Sequence, residues 1–171
     1  MSSTKIIARI LFWLTRALSI MYFALSLLSI IALATRWGLE LKEGGKYFVV
    51  FYPFTQKPLM LGDYNSTYII FEFLTPLTAY GLFFLLVGNV FKVFYQPRLF
   101  TLTGIKHLRI FYLANLILPG LVMLITSFFT EVDDSLIMLT TIHFILGVFA
   151  YFLAAIFRQG LNLQHQQDLI I

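Results

Sequence analysis

Four long stretches of apolar residues alternate with short polar segments along the chain. Each stretch holds about 20 residues or more, the length that an α-helix with ~1.5 Å rise per residue needs to cross the hydrocarbon core of a bilayer. The pattern therefore predicts an all-α integral membrane protein, a four-transmembrane-helix bundle that forms one domain over residues 1–171. Its predicted spans are about 10–35, 68–93, 108–129 and 136–157.

The connection between the first two stretches, residues 36–67, is the only sizeable segment predicted outside the membrane. Within it, Lys46–Tyr52 is rich in β-branched and aromatic residues, and Leu59–Leu61 follows after two prolines. These two segments predict a small, two-stranded β-ribbon in this loop.

Composition narrows the range of functions. Only 12% of the residues are charged, against roughly 25% in an ordinary soluble domain, and four spans leave no room for a soluble catalytic domain. The chain has no cysteine, which excludes thiol redox relays, thiolate metal sites and disulfides. It also lacks the residue patterns of familiar membrane enzymes. We therefore expect a protein that is not an enzyme and uses no cofactor and no metal.

The basic residues define an orientation. Eight of the twelve lie in the N-terminal segment, the second connection and the C-terminal flank. Because cytoplasmic loops carry the excess of Lys and Arg, both termini are predicted in the cytoplasm and the 36–67 loop outside. The expected location is the bacterial inner (cytoplasmic) membrane, with the lipid bilayer as a partner. The cations flank spans and form no run, so direct binding of nucleic acid is not predicted. The eight residues are Lys5, Arg9, Arg16, Lys92, Arg98, Lys106, Arg109 and Arg158.

Ionisable side chains inside a span are costly and need an explanation. Glu72 and His143 both fall in the outer half of predicted spans, and Arg36 and Thr140 lie at similar depth. One interpretation is a small site formed by these four residues that binds a ligand or senses protons. The other is structural: an ion pair between Glu72 and Arg36, and a His143 satisfied by a hydroxyl or a backbone carbonyl.

Two asparagines and two prolines also lie within the spans. Asn115 is expected near the cytoplasmic end of the third span, together with Asn89, as a partner in interhelical hydrogen bonds. Pro76 and Pro119 each remove a backbone donor, so kinks are expected at both.

The cytoplasmic segments offer a second candidate site. A threonine cap is predicted before a basic helix start, where Lys106 and Arg109 share a face and His107 lies between them. Gly160 is expected to end or kink the last helix before the tail, residues 158–171. The tail closes on Asp168, Leu169, Ile170 and Ile171, and its apolar end is predicted to dock on the bundle or a partner, with Asp168 paired to the basic residues.

Two motifs stand in these cytoplasmic segments. The second connection has Leu99–Thr101 followed by Lys106–Arg109, and the tail has Phe157, Gly160, Leu163, Gln164, Asp168, Leu169 and Ile171. Together they resemble a family of bacterial four-helix membrane proteins, the domain-of-unknown-function family two-nine-seven-five. Two departures from its pattern are Thr103-Gly104, where an acidic Glu-Asn pair is usual, and Gln166-Gln167, where a Glu pair is usual. The resemblance implies a membrane protein that acts on a small helix-turn-helix regulator.

The function expected is a non-enzymatic membrane regulator or interaction protein that senses a signal and controls a cytoplasmic helix-turn-helix partner. The alternative is a small transporter or ion-coupled subunit that uses Glu72 and His143, and a purely structural subunit of a larger complex is a third. The partners considered are a cytoplasmic protein and a second copy of the chain itself.

Overall fold

A computed structural model of the protein describes residues 3–168, with side chains described as far as residue 167. Its long elements are helix α1, Ser3–Thr35; helix α2, Thr75–Phe94, preceded directly by a π-helix, Tyr68–Leu74; helix α3, Leu102–Thr126; and helix α4, Asp134–Asp168. Within residues 3–168, four helices are long and apolar enough to cross a membrane, with the π-helix counted as part of the second. The predicted spans are confirmed as helices, which indicates a multi-pass membrane protein.

The chain divides into two compact units. One, the sheet unit, is Ala17–Phe84, and the other, the α3–α4 unit, comprises Met1–Arg16 and Leu85–Ile171. The single domain and the bundle arrangement stay predictions.

A three-stranded antiparallel sheet lies between α1 and the π-helix in the sheet unit. Its strands are β1, Leu39–Lys42; β2, Tyr47–Phe51; and β3, Pro58–Asp63, in the order β1-β2-β3. The prediction of a small β element in this loop is confirmed, but the prediction of two strands is wrong. Strand β1 was missed because it has only four residues, too few for alternation to be recognised; it pairs with β2 from Leu39 opposite Val50.

The sheet packs on the C-terminal part of α1 and on the π-helix. Phe48 and Val50 lie two residues apart on one face of β2, and both are fully buried together with Ala32 of α1. Phe73 of the π-helix contacts the Phe48 ring edge to face, with ring centres 5.0 Å apart. This apolar cluster fixes the sheet to the helices from which its loop emerges.

Gly62 on β3 allows the strand to pass directly over the start of the π-helix. A Cβ atom at Gly62 would lie 2.7 Å from a ring carbon of Tyr68 and 2.8 Å from the ring of Phe48. Any side chain here would force the half-buried Tyr68 ring or the buried Phe48 ring to move, so the close approach requires glycine.

The π-helix lies immediately before Pro76. The backbone N–H of Thr75 donates to the carbonyl of Ile70, five residues earlier, and the Thr75 hydroxyl donates to the same carbonyl at 2.6 Å. Pro76 has no N–H to donate to the carbonyl of Glu72, four residues before it, so regular α-helical bonding is interrupted here. A kink was predicted at Pro76, and that stays a prediction; what the structure shows is a π-helix in the turns that precede the proline.

Within the sheet unit, hydroxyl groups join α1 to the first half of α2. The Ser19 hydroxyl donates to the carbonyl of Gly81 at 2.9 Å, and the hydroxyls of Ser26 and Thr78 are 2.8 Å apart. Ser19 and Ser26 are buried. Small residues and hydroxyl hydrogen bonds are the usual means of holding helices together in lipid.

Candidate functional site

A hydrogen bond between two polar side chains joins α3 to α4. Asn115 is 4% exposed, and its amide nitrogen donates to the carbonyl of Phe111 at 2.8 Å. Its amide oxygen lies 2.7 Å from Nδ1 of His143. Because that oxygen can only accept, Nδ1 of His143 is the donor. The prediction that Asn115 joins Asn89 is wrong, since α3 begins at Leu102 and Asn115 lies midway along it.

Thr140 lies one helical turn before His143 on α4. Its Oγ1 atom is buried, and no hydrogen-bond partner for it occurs in the described part of the chain; the same holds for Oγ1 of Thr126 on α3. Two of the four residues predicted as an intramembrane polar site, His143 and Thr140, thus lie in the α3–α4 unit. Of these two, His143 contacts Asn115.

Asn89 pairs with Arg16. The Nη2 atom of Arg16 donates to the amide oxygen of Asn89 at 2.8 Å, and the guanidinium carbon lies 5.3 Å from the centre of the Phe12 ring. This half-buried cation is therefore stabilised by an amide and by an aromatic face.

Glu72 and Arg36, the other two residues of the predicted polar site, lie in the sheet unit. Glu72 is exposed, and among residues 3–167 no hydrogen bond or ion pair reaches its carboxylate. The predicted Glu72–Arg36 pair is not formed, because Arg36 leaves the helix in a left-handed conformation with φ of 60° just after α1 ends. Glu72 lines an open groove of about 430 Å³ with aromatic and apolar neighbours that include Tyr22 and Tyr80.

The second connection, between α2 and α3, contains the predicted threonine cap. Thr101 has extended backbone angles and its hydroxyl accepts the N–H of Gly104 at 3.0 Å, so the cap is confirmed. Lys106 and Arg109 are exposed on α3, and His107 between them is half-buried.

This connection packs against the C-terminal part of α4. The Phe100 ring contacts the Phe157 ring edge to face at 5.3 Å, and Phe94 contacts Phe157 at 5.7 Å. A Cβ atom at Gly160 would lie 2.7 Å from the Phe100 ring. The prediction that Gly160 ends the helix is wrong, since α4 continues to Asp168. Gly160 provides the space that the Phe100 ring occupies.

The two segments that carry the family resemblance are thus in contact. We call residues 92–109 and 157–167 together the connection surface. Two cavities open on it. One, of about 550 Å³, lies beside Lys92, Arg98 and His107, and the other, of about 160 Å³, lies between Arg98 and the α4 residues Gln164 and His165.

The predicted tail-docking residues fall at the limit of the structure. The Asp168 side chain and Leu169, Ile170 and Ile171 lie outside the described residues, so the docking of the tail stays a prediction. Among the residues that are described, no three His, Cys, Asp or Glu side chains group closely enough to hold a metal ion.

Comparison with known proteins gives no match: no protein-family profile, no curated protein and no solved structure is similar to this chain. The resemblance to family two-nine-seven-five therefore remains a prediction based on the residues named above.

Proposed function

We propose that this chain is a non-enzymatic regulator or interaction protein of the bacterial inner membrane. In this proposal both termini lie in the cytoplasm, and the connection surface binds an acidic cytoplasmic protein. The observation that carries the proposal is the packing of Phe100 on Phe157 and Gly160. This contact joins two segments that are distant in sequence into one surface.

The charge of this surface favours an acidic partner. The chain has no acidic residue between Glu72 and Glu131, so none lies in the second connection or in α3. Within residues 3–167 the exposed cations of the connection surface make no ion pair; they are Lys92, Arg98, Lys106, Arg109 and Arg158. Uncompensated charges of one sign attract an oppositely charged protein over a distance and fix its orientation.

Exposed apolar side chains lie among these cations and would supply affinity. Leu102 is 76% exposed at the start of α3, Leu163 is 61% exposed on the extension of α4, and Leu99 in the connection is 40% exposed. Exposed ion pairs contribute little free energy by themselves. A binding surface needs apolar groups that become buried, and these three leucines provide them.

The partner that the resemblance implies is a helix-turn-helix regulator. A regulator held at the membrane by an acidic surface would be kept away from its DNA until a signal released it. Such a device needs only two states of the complex and a signal that favours one of them.

The proposal is tested by co-purification. Wild-type protein is cross-linked in native membranes and purified, and the recovered proteins are quantified by mass spectrometry. A Lys106→Gln, Arg109→Gln variant should recover much less of the partner. A matched Lys42→Gln, Lys46→Gln variant, which removes the same charge from the sheet unit, should recover the wild-type amount. Equal recovery with both variants would contradict a binding role for the connection surface.

A second candidate function is a small transporter or ion-coupled subunit. It is favoured by the position of Glu72. This residue lies in a helical stretch long enough to cross a membrane, and its exposed carboxylate lines a groove of about 430 Å³. Carboxylates in such positions commonly mark ion or proton pathways. Loss of a proton-linked flux in proteoliposomes on Glu72→Gln, with the flux retained in the Lys106→Gln, Arg109→Gln variant, would place this function ahead of the first.

A further inference from the structure

The larger cavity of the connection surface has a lining suited to one kind of ligand. It lies between the last turn of α2, the connection and the first turns of α3, with a volume of about 550 Å³. Besides the capping Thr101, five side chains along it end in hydrogen-bond donors: Lys92, Gln96, Arg98, Thr103 and His107. No carboxylate lines it. We propose that this cavity binds a phosphate group.

The electrostatic surroundings of the cavity add to its positive charge. Besides Lys92, both Lys106 and Arg16 lie close enough to His107 to interact with it electrostatically. None of these cations has an ion-pair partner among residues 3–167. The charge that collects around the cavity is thus not neutralised by the described part of the chain, and an anion is the ligand that would neutralise it.

Phosphate matches the donors better than other anions do. A guanidinium group offers two parallel N–H donors to two phosphate oxygens, and an ammonium group adds a compact charge. The amide of Gln96 and the hydroxyl of Thr103 supply neutral donors to further oxygens. The volume lies within the ~300–1,000 Å³ range of small-ligand sites, so a phosphate with its attached group fits.

The phosphate can come from either of two sources, an anionic lipid headgroup or a soluble phosphate compound. The inference does not depend on the proposed binding of an acidic protein, because it concerns a cavity and not the exposed leucines. It can therefore hold if the protein-binding proposal fails.

The test uses the full chain in nanodiscs, in two arms. In the first, inorganic phosphate is titrated by calorimetry into protein held in phosphatidylcholine. In the second, retention of phosphatidylglycerol against phosphatidylcholine is measured by native mass spectrometry after exchange into mixed lipid. Both arms compare the wild type, a Lys92→Gln, Arg98→Gln variant, and Arg109→Gln, which removes an exposed cation of α3 that does not line the cavity.

The double variant should weaken binding by at least about tenfold, because it removes two charged donors and hydrogen bonds to charged groups are the stronger ones. Arg109→Gln should bind phosphate with an affinity within about twofold of the wild type. Replacing Arg98 by Lys instead of Gln should recover part of the binding, because lysine keeps the charge. A response in the first arm identifies a soluble phosphate, and a response in the second alone identifies a headgroup. No preferential binding in either arm, or an equal loss with Arg109→Gln, would overturn the inference, provided that circular dichroism shows the variants to be folded.

Discussion

The hydrogen bond between Asn115 and His143 should make a measurable contribution to stability. The change proposed is a double-mutant cycle of Asn115→Leu and His143→Leu, singly and together. His143→Leu alone leaves the amide oxygen of the buried Asn115 without its 2.7 Å donor, and Asn115→Leu removes the same hydrogen bond from the other side. A buried polar group that loses its partner costs about 1–3 kcal/mol, so His143→Leu should be clearly destabilised.

The coupling energy separates the hydrogen bond from other effects of the substitutions. Interhelical hydrogen bonds in membranes average about 0.6 kcal/mol and reach at most about 1.7 kcal/mol. Because the Asn115 side chain is 4% exposed and the contact is short, we expect a coupling near the upper end of that range. The double variant should accordingly be destabilised by less than the sum of the two single variants.

The free energy of unfolding can be measured by titrating the purified protein with sodium dodecyl sulfate in mixed micelles. Thr141→Val combined with Asn115→Leu serves as the control pair, because the Thr141 hydroxyl donates to Ile137 of its own helix. Independent sites are additive within about 0.3–0.5 kcal/mol. A coupling of Asn115 with His143 no larger than that of the control pair would refute the role assigned to this contact.

Three other outcomes are expected. Gly160→Ala should lower the free energy of unfolding by about 1–3 kcal/mol through overpacking, because its Cβ would lie 2.7 Å from the Phe100 ring. The control Gly120→Ala has open space, so its free energy of unfolding should stay unchanged or rise by up to about 1 kcal/mol. Equal losses for the two variants in detergent titration would argue against this packing. Phe54→Gly should raise the thermal midpoint, since Phe54 is 96% exposed at φ of 62°, a conformation that costs roughly 1 kcal/mol or more. A lower midpoint would mean that the edge-to-face contact of this ring with Trp37, at 5.9 Å, outweighs the backbone cost. A reporter fused to the C-terminus should be active only in the cytoplasm and one inserted at Gly44 only outside, and the reverse pattern would exclude the proposed orientation.

The long helices could be predicted from the sequence because bilayer thickness imposes a minimum apolar length. Strand β2 could be predicted because Val49, Val50 and their aromatic neighbours have high β propensity. The π-helix could not be predicted, since no residue pattern announces one extra residue per turn, although Pro76 marked the place where regular bonding fails.

Site residues were harder to place than elements. Asn115 was assigned to one end of its span because the apolar stretch was taken to begin at residue 108, whereas α3 starts at Leu102. That six-residue difference is nearly two helical turns, enough to change its partner from Asn89 to His143. Gly160 shows a different limit: a glycine late in a helix can end it or make room for a neighbouring side chain, and only the position of Phe100 distinguishes the two.

The π-helix before Pro76 also constrains the length of this part of the chain. A π-helix is an α-helix with one surplus residue, and the surplus can migrate along the helix by exchanging one hydrogen bond at a time. Here Pro76 blocks migration toward the C-terminus, because it has no N–H with which to complete an α-helical bond, and the packing of Tyr68 against Gly62 blocks it toward the N-terminus. Deleting one residue between 68 and 74 would remove the surplus residue, although the bond that Pro76 cannot make would still be missing. The deletion would also rotate everything before it by about 100°, and the sheet would lose its alignment with Phe73. Related chains that keep this sheet should therefore keep the surplus residue next to Glu72.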